Sequence, residues 1–271
     1  MNRLDTDRIM EKTEPRTGAQ SIKRAISLLR IVARHNDKGS PLSKIARESG
    51  LHVATAHRML SAMSRENLLH QDQDSKLYYL GIELFLLGNK AQEFHLRDRF
   101  RTPLERIARE SGDTVFLLIR SGYDALCLDR VEGQYPIRTI LFDVGSRRPL
   151  GIGVGGLALI AFEPREVLAS ILEINASRFA RYPRVTAREI AQLAHASRKS
   201  GYIVSKGYFY EGVTSIGVPV FNEQREVVAA IALSSISQRM DDSRCQLMVR
   251  LIKSVTQMEG VNFPAGKRTL R

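Results

Sequence analysis

Ala54, Arg58, Ser61 and Arg65 follow one another at steps of four, three and four residues. On a helix that spacing sets them in one stripe. Two guanidinium groups, a hydroxyl and a small residue on one face are groups that read nucleic acid. Arginine donates two hydrogen bonds to a guanine edge or holds a phosphate. A small residue lets the helix approach the bases. Thr55 and His57 flank the stripe, and Thr55 can bond a phosphate or touch a thymine methyl. Arg24 and Lys44 on the preceding helices, and Lys76 beyond, add cations for backbone phosphates. The plain alternative is a solvated basic face on an ordinary helical scaffold.

A second group is Gly151-Ile-Gly-Val-Gly-Gly156, which fits G-x-G-x-x-G. A dinucleotide site needs a preceding parallel strand, a βαβ unit and an acid about 20 residues on. Here Arg147-Arg148-Pro149 precedes the glycines, Pro164 breaks the next helix early, and Glu173 sits on a second helix. A better fit is close approach of a small ligand to Gly155 and Gly156 at a helix N-terminus, where free N–H groups suit a carboxylate. The competing reading is that the glycines serve helix–sheet packing alone.

Catalytic constellations are missing. No H-E-x-x-H, C-x-x-C or G-x-S-x-G occurs. Of the 6 histidines, His35, His52, His57 and His70 fall in the first part of the chain, with His95 and His195 beyond. Cys127 stands between Leu126 and Leu128 on an apolar run, where a buried thiol is inert. No cofactor and no metal are expected. An enzyme with a basic interaction domain, identified by turnover of a bound small molecule, is the competing function.

Helices and strands must position these residues. Ile22, Ala25, Ile26, Leu29, Val32 and Ala33 recur at helical spacing and predict a first helix from Ala19. Ser40 as N-cap and Pro41 as first residue predict a second, closed by Gly50. A third runs from Val53 to Glu66, with Ala56, Met59, Leu60 and Met63 inward. Two helices joined by Gly50-Leu51-His52 form a helix-turn-helix pattern. Apolar runs around a polar turn at Asp72–Lys76 predict a β-hairpin, a wing. Beyond it lie a linker helix over 82–100, a helix from Pro103 to Ser111, and strands at Thr114–Arg120, Ala125–Val131 and Pro136–Leu141. Then come a helix from the glycines to Phe162, one from Pro164, and one over Ala187–Ser200. Strands at Tyr202–Ser205, Thr214–Phe221 and Val227–Ser234 precede a last helix from Asp241 to Met258. Strands paired through turns, with helices packed on them, predict an α+β domain with an antiparallel sheet.

The expected organisation is a flexible arm (1–18), a winged helix-turn-helix domain (19–81), a linker helix (82–100), a second domain (101–262) and a basic tail (263–271). The 271 residues carry a net charge of +12, with 43% hydrophobic and 26% charged residues, a globular rather than disordered composition. Between Arg16 and Lys76 stand eleven Lys and Arg against five Asp and Glu, a concentration that favours DNA over a merely basic surface. Two cysteines exclude a disulfide scaffold. The start of the chain lacks the apolar core of a signal peptide. The longest apolar stretch, Leu150 to Phe162, is too short for a membrane span. A soluble cytoplasmic protein without a membrane partner is expected.

Ser21-x-x-Arg24-Ala25-Ile26-x-Leu28-Leu29 resembles the first helix of the IclR-type bacterial transcription regulators. Gly50-Leu51-x-x-x-Thr55-Ala56-His57-Arg58-Met59-Leu60 is similar to their recognition helix, and Leu77-Tyr78-Tyr79-Leu80-Gly81-x-x-Leu84 to their wing exit and linker. Ala54 stands where the family commonly has serine, which removes a possible phosphate contact. The resemblance continues to about residue 240 through Gly112-Asp-Thr-Val-Phe, Arg130-x-Glu-Gly133, Val144-Gly-x-Arg147-x-Pro149-Leu150, Gly201-Tyr202, and Gly212-Val213 with Pro219-Val220. It implies that the second domain is a GAF-like α+β fold that binds a small effector and associates into dimers or tetramers. The family's pocket positions fall on Ser205 or Lys206, Ser215, Ala232 and Ser234. Where the family usually has Gly-Lys, Gly156 is followed by Leu157. An inward Lys206 favours a carboxylic acid, and an outward one is a surface lysine. Tyr208, Phe209 and Tyr210 form either a lid over an aromatic ligand or a packed loop. The implied function is a transcription regulator that binds a pseudo-palindromic double-stranded operator as a homodimer or homotetramer and responds to a small metabolite, an organic acid.

Overall fold

The computed structural model describes residues 19–88, 92–182 and 185–257. The expected arm and tail, residues 89–91 of the expected linker, and residues 258–262 lie outside the described residues. The chain divides into two compact units, with the boundary between Phe94 and His95.

In the first unit, α1 (Gln20–Arg34), α2 (Leu42–Ser49) and α3 (Val53–Arg65) precede β1 (Leu69–Gln71), β2 (Tyr78–Leu80) and α4 (Ile82–Gly88). Leu28, Ile31 and Val32 of α1 meet Ile45, Leu60, Met63, Leu69 and Tyr78 in one core. The α2–α3 turn is sharp because Gly50 takes a left-handed φ of +66°. That conformation costs glycine nothing and lets the Gly50 and Leu51 N–H groups return to the Arg47 and Ala46 carbonyls. β1 and β2 pair antiparallel, Leu69 opposite Leu80. The expected N-cap at Ser40 is not formed: Pro41 occupies the cap position without a side-chain bond. The Ser40 backbone instead pairs with Tyr78 in both directions, at 3.1 and 2.9 Å, adding a third rung to the wing.

The second unit is built on a six-stranded antiparallel sheet. It comprises β3 (Thr114–Ser121), β4 (Asp124–Val131), β5 (Arg147–Pro149), β6 (Ile203–Lys206), β7 (Val213–Phe221) and β8 (Val227–Ile236), in the order β5-β4-β3-β8-β7-β6. Strand alternation feeds two cores. Val115, Leu117, Ile119, Ile216, Val218, Ile231 and Leu233 face α5 (Gln92–Ser111) and α9 (Asp242–Gln257). Phe116, Leu118, Ala230 and Ala232 face α6 (Gly153–Ala158), α7 (Arg165–Phe179) and α8 (Ala187–Ser200).

Three expectations fail here. Helix α5 passes through Pro103 rather than starting there. Proline removes one backbone bond and costs about 3 kcal/mol. Phe100, Leu104 and Ile107 are buried around it, each worth about 1.5–3 kcal/mol, so packing wins. Pro136–Leu141 is not a strand. Ile137 and Ile140 are exposed, and the free edge of β4 is taken by β5, with Ala125 opposite Arg148. The helix after the glycines is also shorter than expected, ending at Ala158.

Candidate nucleic-acid interface and ligand cavity

Helix α3 buries Ala56, Leu60 and Met63 and exposes Ala54, His57, Arg58 and Arg65, with Thr55 and Ser61 half-exposed. Arg24 is exposed on α1, and Lys44 is half-exposed on α2. Lys76 is exposed at the wing tip, in a left-handed conformation at φ +58°. None of Arg24, Lys44, Arg58, Arg65 and Lys76 pairs with a carboxylate among the described residues. Several arginines of the second unit behave differently. Arg101 binds the buried Asp129 at 3.1 Å, and Arg239 and Arg244 share the buried Asp113. Those five cations of the first unit are thus left for an outside anion, whereas Arg34 of the same unit pairs with Glu48 at 3.4 Å. The wing is mixed in charge: Lys76 shares its tip with Asp74 and with Asp72. The Ser75 hydroxyl and N–H hold the Asp72 carboxyl below the usual carboxylate range. An open trough of about 1040 Å³ between α3, the hairpin and α4 includes Ser61 and Arg65 in its walls.

The second site lies on the α6 side of the sheet. Small residues leave room there: Ser215, Ala232 and Ser234 stand on adjacent strands under α6. Phe116, Leu141, Phe142, Gly153, Val154, Gly155, Phe209 and Tyr210 complete the lining. Ser215 and Ser234 are opposite each other in register, and their hydroxyls are 2.8 Å apart. The Thr139 hydroxyl donates to the Ser234 carbonyl at 2.7 Å. The space is closed to about 10 Å³, roughly what one water molecule requires. Phe142 packs edge-on to Phe116 at 5.9 Å. Phe209 and Tyr210 stand on the loop between β6 and β7, whose ends, Gly207 and Gly212, both take φ +73°. Tyr208 on the same loop donates to Glu189 of α8 at 3.1 Å. Burial and that carboxylate push its phenol up to about 12.

The expected pocket residues separate by strand register. Ser205 lies opposite Ser215 and is buried on the cavity side of the sheet, although it does not line the cavity. Lys206 is one residue on and therefore on the other face. It is exposed and bound to Asp242 of α9 at 2.5 Å, which raises its pKa. Gly155 lines the cavity, and its missing Cβ would come within 2.5 Å of the Leu118 side-chain tip, so glycine lets the helix and the sheet approach without that leucine shifting. At Gly156 a Cβ would meet Ala125 at an ordinary 3.5 Å, and that residue is outside the lining. Helix α6 has 6 residues, too few to gather much dipole for a carboxylate.

A profile described as the IclR helix-turn-helix domain matches residues 21–73, and one described as the bacterial transcriptional regulator IclR C-terminal matches residues 89–258. The chain belongs to the IclR family of bacterial transcriptional regulators. It is similar to the HTH-type transcriptional regulator KipR of Bacillus subtilis, 27% identical over 78% of this chain and 85% of that one. It also resembles the glycerol operon regulatory protein of Streptomyces griseus, 29% identical over 82% and 86%. The HTH-type transcriptional repressor AllR of Escherichia coli K12 is 26% identical over 89% of each chain. Among solved structures, an IclR regulator from Alicyclobacillus acidocaldarius superposes with a TM-score of 0.71, at 24% identity, covering 88% of this chain and 96% of that one. An IclR homologue from Microbacterium hydrocarbonoxydans, complexed with 4-hydroxybenzoate, gives 0.72 at 22% identity, covering 88% and 98%.

Within this IclR-family fold, Cys127 is fully buried and its thiol is pushed up to about 12 by burial, which leaves it a poor nucleophile. Among the described residues no helix is long and apolar enough to cross a membrane. Sequence reasoning misses Phe116, Leu141 and Phe142 as lining residues. It also passes over Arg148, which lies against Phe142 and Tyr210 at 4.2 and 5.2 Å from their ring centroids. Strand alternation sets residue 148 on the opposite face from Arg147 and Pro149, but it shows only once β5 is seen paired with β4.

Proposed function

We propose that this IclR-family regulator grips a pseudo-palindromic operator as a homodimer or homotetramer and changes its grip when a small organic acid enters the cavity under α6. The unpaired cations of α1–α3 and the wing carry this reading. Arg58 and Arg65, with Ala54 and Ser61 between and beside them, face the bases, and Thr55 and His57 flank them. Arg24, Lys44 and Lys76 hold phosphates. Residues 19–81 act as the DNA-binding domain, 82–100 as linker and 101–262 as effector domain. Self-association is supported by the exposed Ile82, Phe85, Leu86 and Leu87 of α4, an apolar face that a second copy could cover. A small effector is supported by the hydroxyl-floored, aromatic-walled cavity, and by the 4-hydroxybenzoate held by a structural neighbour. An effector that fits one arrangement of the assembly better shifts the population towards it, typically by about 1–3 kcal/mol of coupling. The protein acts as a regulator rather than an enzyme, within the cytoplasm.

The test is a salt-titrated binding assay on the regulator's own upstream intergenic DNA against scrambled DNA of equal length. Tight, sequence-preferring binding is expected, with an affinity that metabolites alter. Equal, steeply salt-dependent binding to both would reduce the interface to phosphate attraction. Consumption of a bound metabolite would favour the enzyme.

A further inference from the structure

We propose that Arg148 is the anion receptor of the effector cavity and selects a carboxylic acid with a ring-sized apolar body. This rests on the proposed function and names the class of effector that the cavity takes. Arg148 is the middle residue of β5 and lies opposite Ala125 of β4. Directly opposed residues share a face, and Ala125 belongs to the core under α6–α8. Alternation therefore turns Arg148 to the cavity side. Arg147 turns the other way and donates to the Ser121 hydroxyl at 2.7 Å.

The guanidinium of Arg148 is held without a counter-ion. It donates to the Leu141 carbonyl and lies against the Phe142 and Tyr210 rings. Leu141, Phe142 and Tyr210 all line the cavity, and Arg148 stands against them just outside the lining, so it reaches an acid once the Tyr210 side of the wall moves. No carboxylate pairs with Arg148 among the described residues, whereas Arg130, Arg178 and Arg239 of the same unit each have one. Burial lowers its pKa, as befits a cation that has lost water without gaining an anion. A second observation is independent of the charge. The Tyr210 hydroxyl, in the same wall, is buried with no hydrogen-bond partner. An unsatisfied buried hydroxyl is costly, and a carboxylate against Arg148 could accept a hydrogen bond from it. A carboxylate takes two parallel bonds from a guanidinium, which a neutral amide cannot match. Phe116, Phe142 and Phe209 offer aromatic surface to the body of the acid, and the Ser215–Ser234 pair meets a polar substituent. Because the space is nearly closed, the Gly207–Gly212 loop must yield for entry.

The test uses the full chain with benzoate, 4-hydroxybenzoate and phenylacetate, each beside its neutral amide, read by thermal shift and titration calorimetry. At least one acid should bind about tenfold or more tightly than its amide, the worth of a charge-assisted hydrogen bond. Arg148→Met, with folding checked by circular dichroism, should erase that preference by weakening acid binding alone. Arg148→Lys keeps the charge without the fork and should retain the preference at lower affinity, which gives a readout if the methionine variant unfolds. If acids and amides bind equally, or Arg148→Met binds the acid as wild type does, the receptor assignment is overturned. Loss of all binding in Ser215→Leu would then show that the cavity itself stands. If none of the six compounds binds, the ring-sized acid is wrong, while sequence-preferring DNA binding altered by another metabolite would leave the proposed function standing.

Discussion

Arg58 is exposed on α3, lacks a carboxylate partner among the described residues, and shares its stripe with Ala54, Ser61 and Arg65. An arginine that reads a guanine edge contributes to specific binding more than to non-specific binding. Arg58→Ala should therefore weaken binding to the operator by about 1–3 kcal/mol, with a smaller loss on scrambled duplex, both measured by fluorescence anisotropy. An equal loss on both would make Arg58 a phosphate contact. The exposure of this stripe is legible in the sequence, because period 3.6 assigns both faces of a helix once its apolar seam is found. In the cavity the same reasoning stops one residue short. Ser205 and Lys206 stay alternatives in the sequence because a one-residue shift of register exchanges the faces of a strand. Only the pairing of Ser205 with Ser215 decides it. Arg148 is hidden for a related reason: a three-residue strand is too short to show its alternation.

At the scale of elements, the packing of α6 on the sheet depends on absent side chains. A Cβ on Gly217 of β7 would lie 2.4 Å from the Val154 carbonyl oxygen, and backbone cannot move aside as a side-chain tip can. Gly217→Ala should destabilise the effector domain by about 1–3 kcal/mol, or roughly 2–4 °C of melting temperature per kcal/mol for a domain of this size. An unchanged thermal transition would mean that α6 slides freely on the sheet. The helix-turn-helix is readable from local signals, chiefly the left-handed Gly50 after an amphipathic segment. The failures share one cause, which is that they turn on distant partners. Ser40 has the chemistry of a cap, but its backbone is committed to Tyr78, far along the chain. Pro136–Leu141 has apolar content without an edge to join. Pro103 reads as a helix start until the burial of Phe100, Leu104 and Ile107 is counted.

For the whole molecule, charge is divided between the two units. The first leaves Arg24, Lys44, Arg58, Arg65 and Lys76 without a carboxylate among the described residues, and the second holds Arg101, Arg239 and Arg244 on buried aspartates. A dimeric reader of DNA requires its half-sites on one face of the duplex, about one helical turn or a multiple apart. Inserting about 5 bp between them should sharply reduce affinity, and about 10 bp should recover part of it, as electrophoretic mobility shifts would show. Indifference to spacing would argue that each recognition helix binds alone. The loop that closes the cavity is fastened from outside it, by the bond from Tyr208 to Glu189 in the first turn of α8. A binding-competent state that is seldom populated reduces apparent affinity in proportion to its rarity. If the cavity takes the effector as proposed, the dose–response midpoint of the regulator would be set partly by how firmly that bond holds. Substitutions at Glu189, which is outside the cavity lining, could retune the metabolite concentration at which transcription switches while leaving the choice of metabolite unchanged.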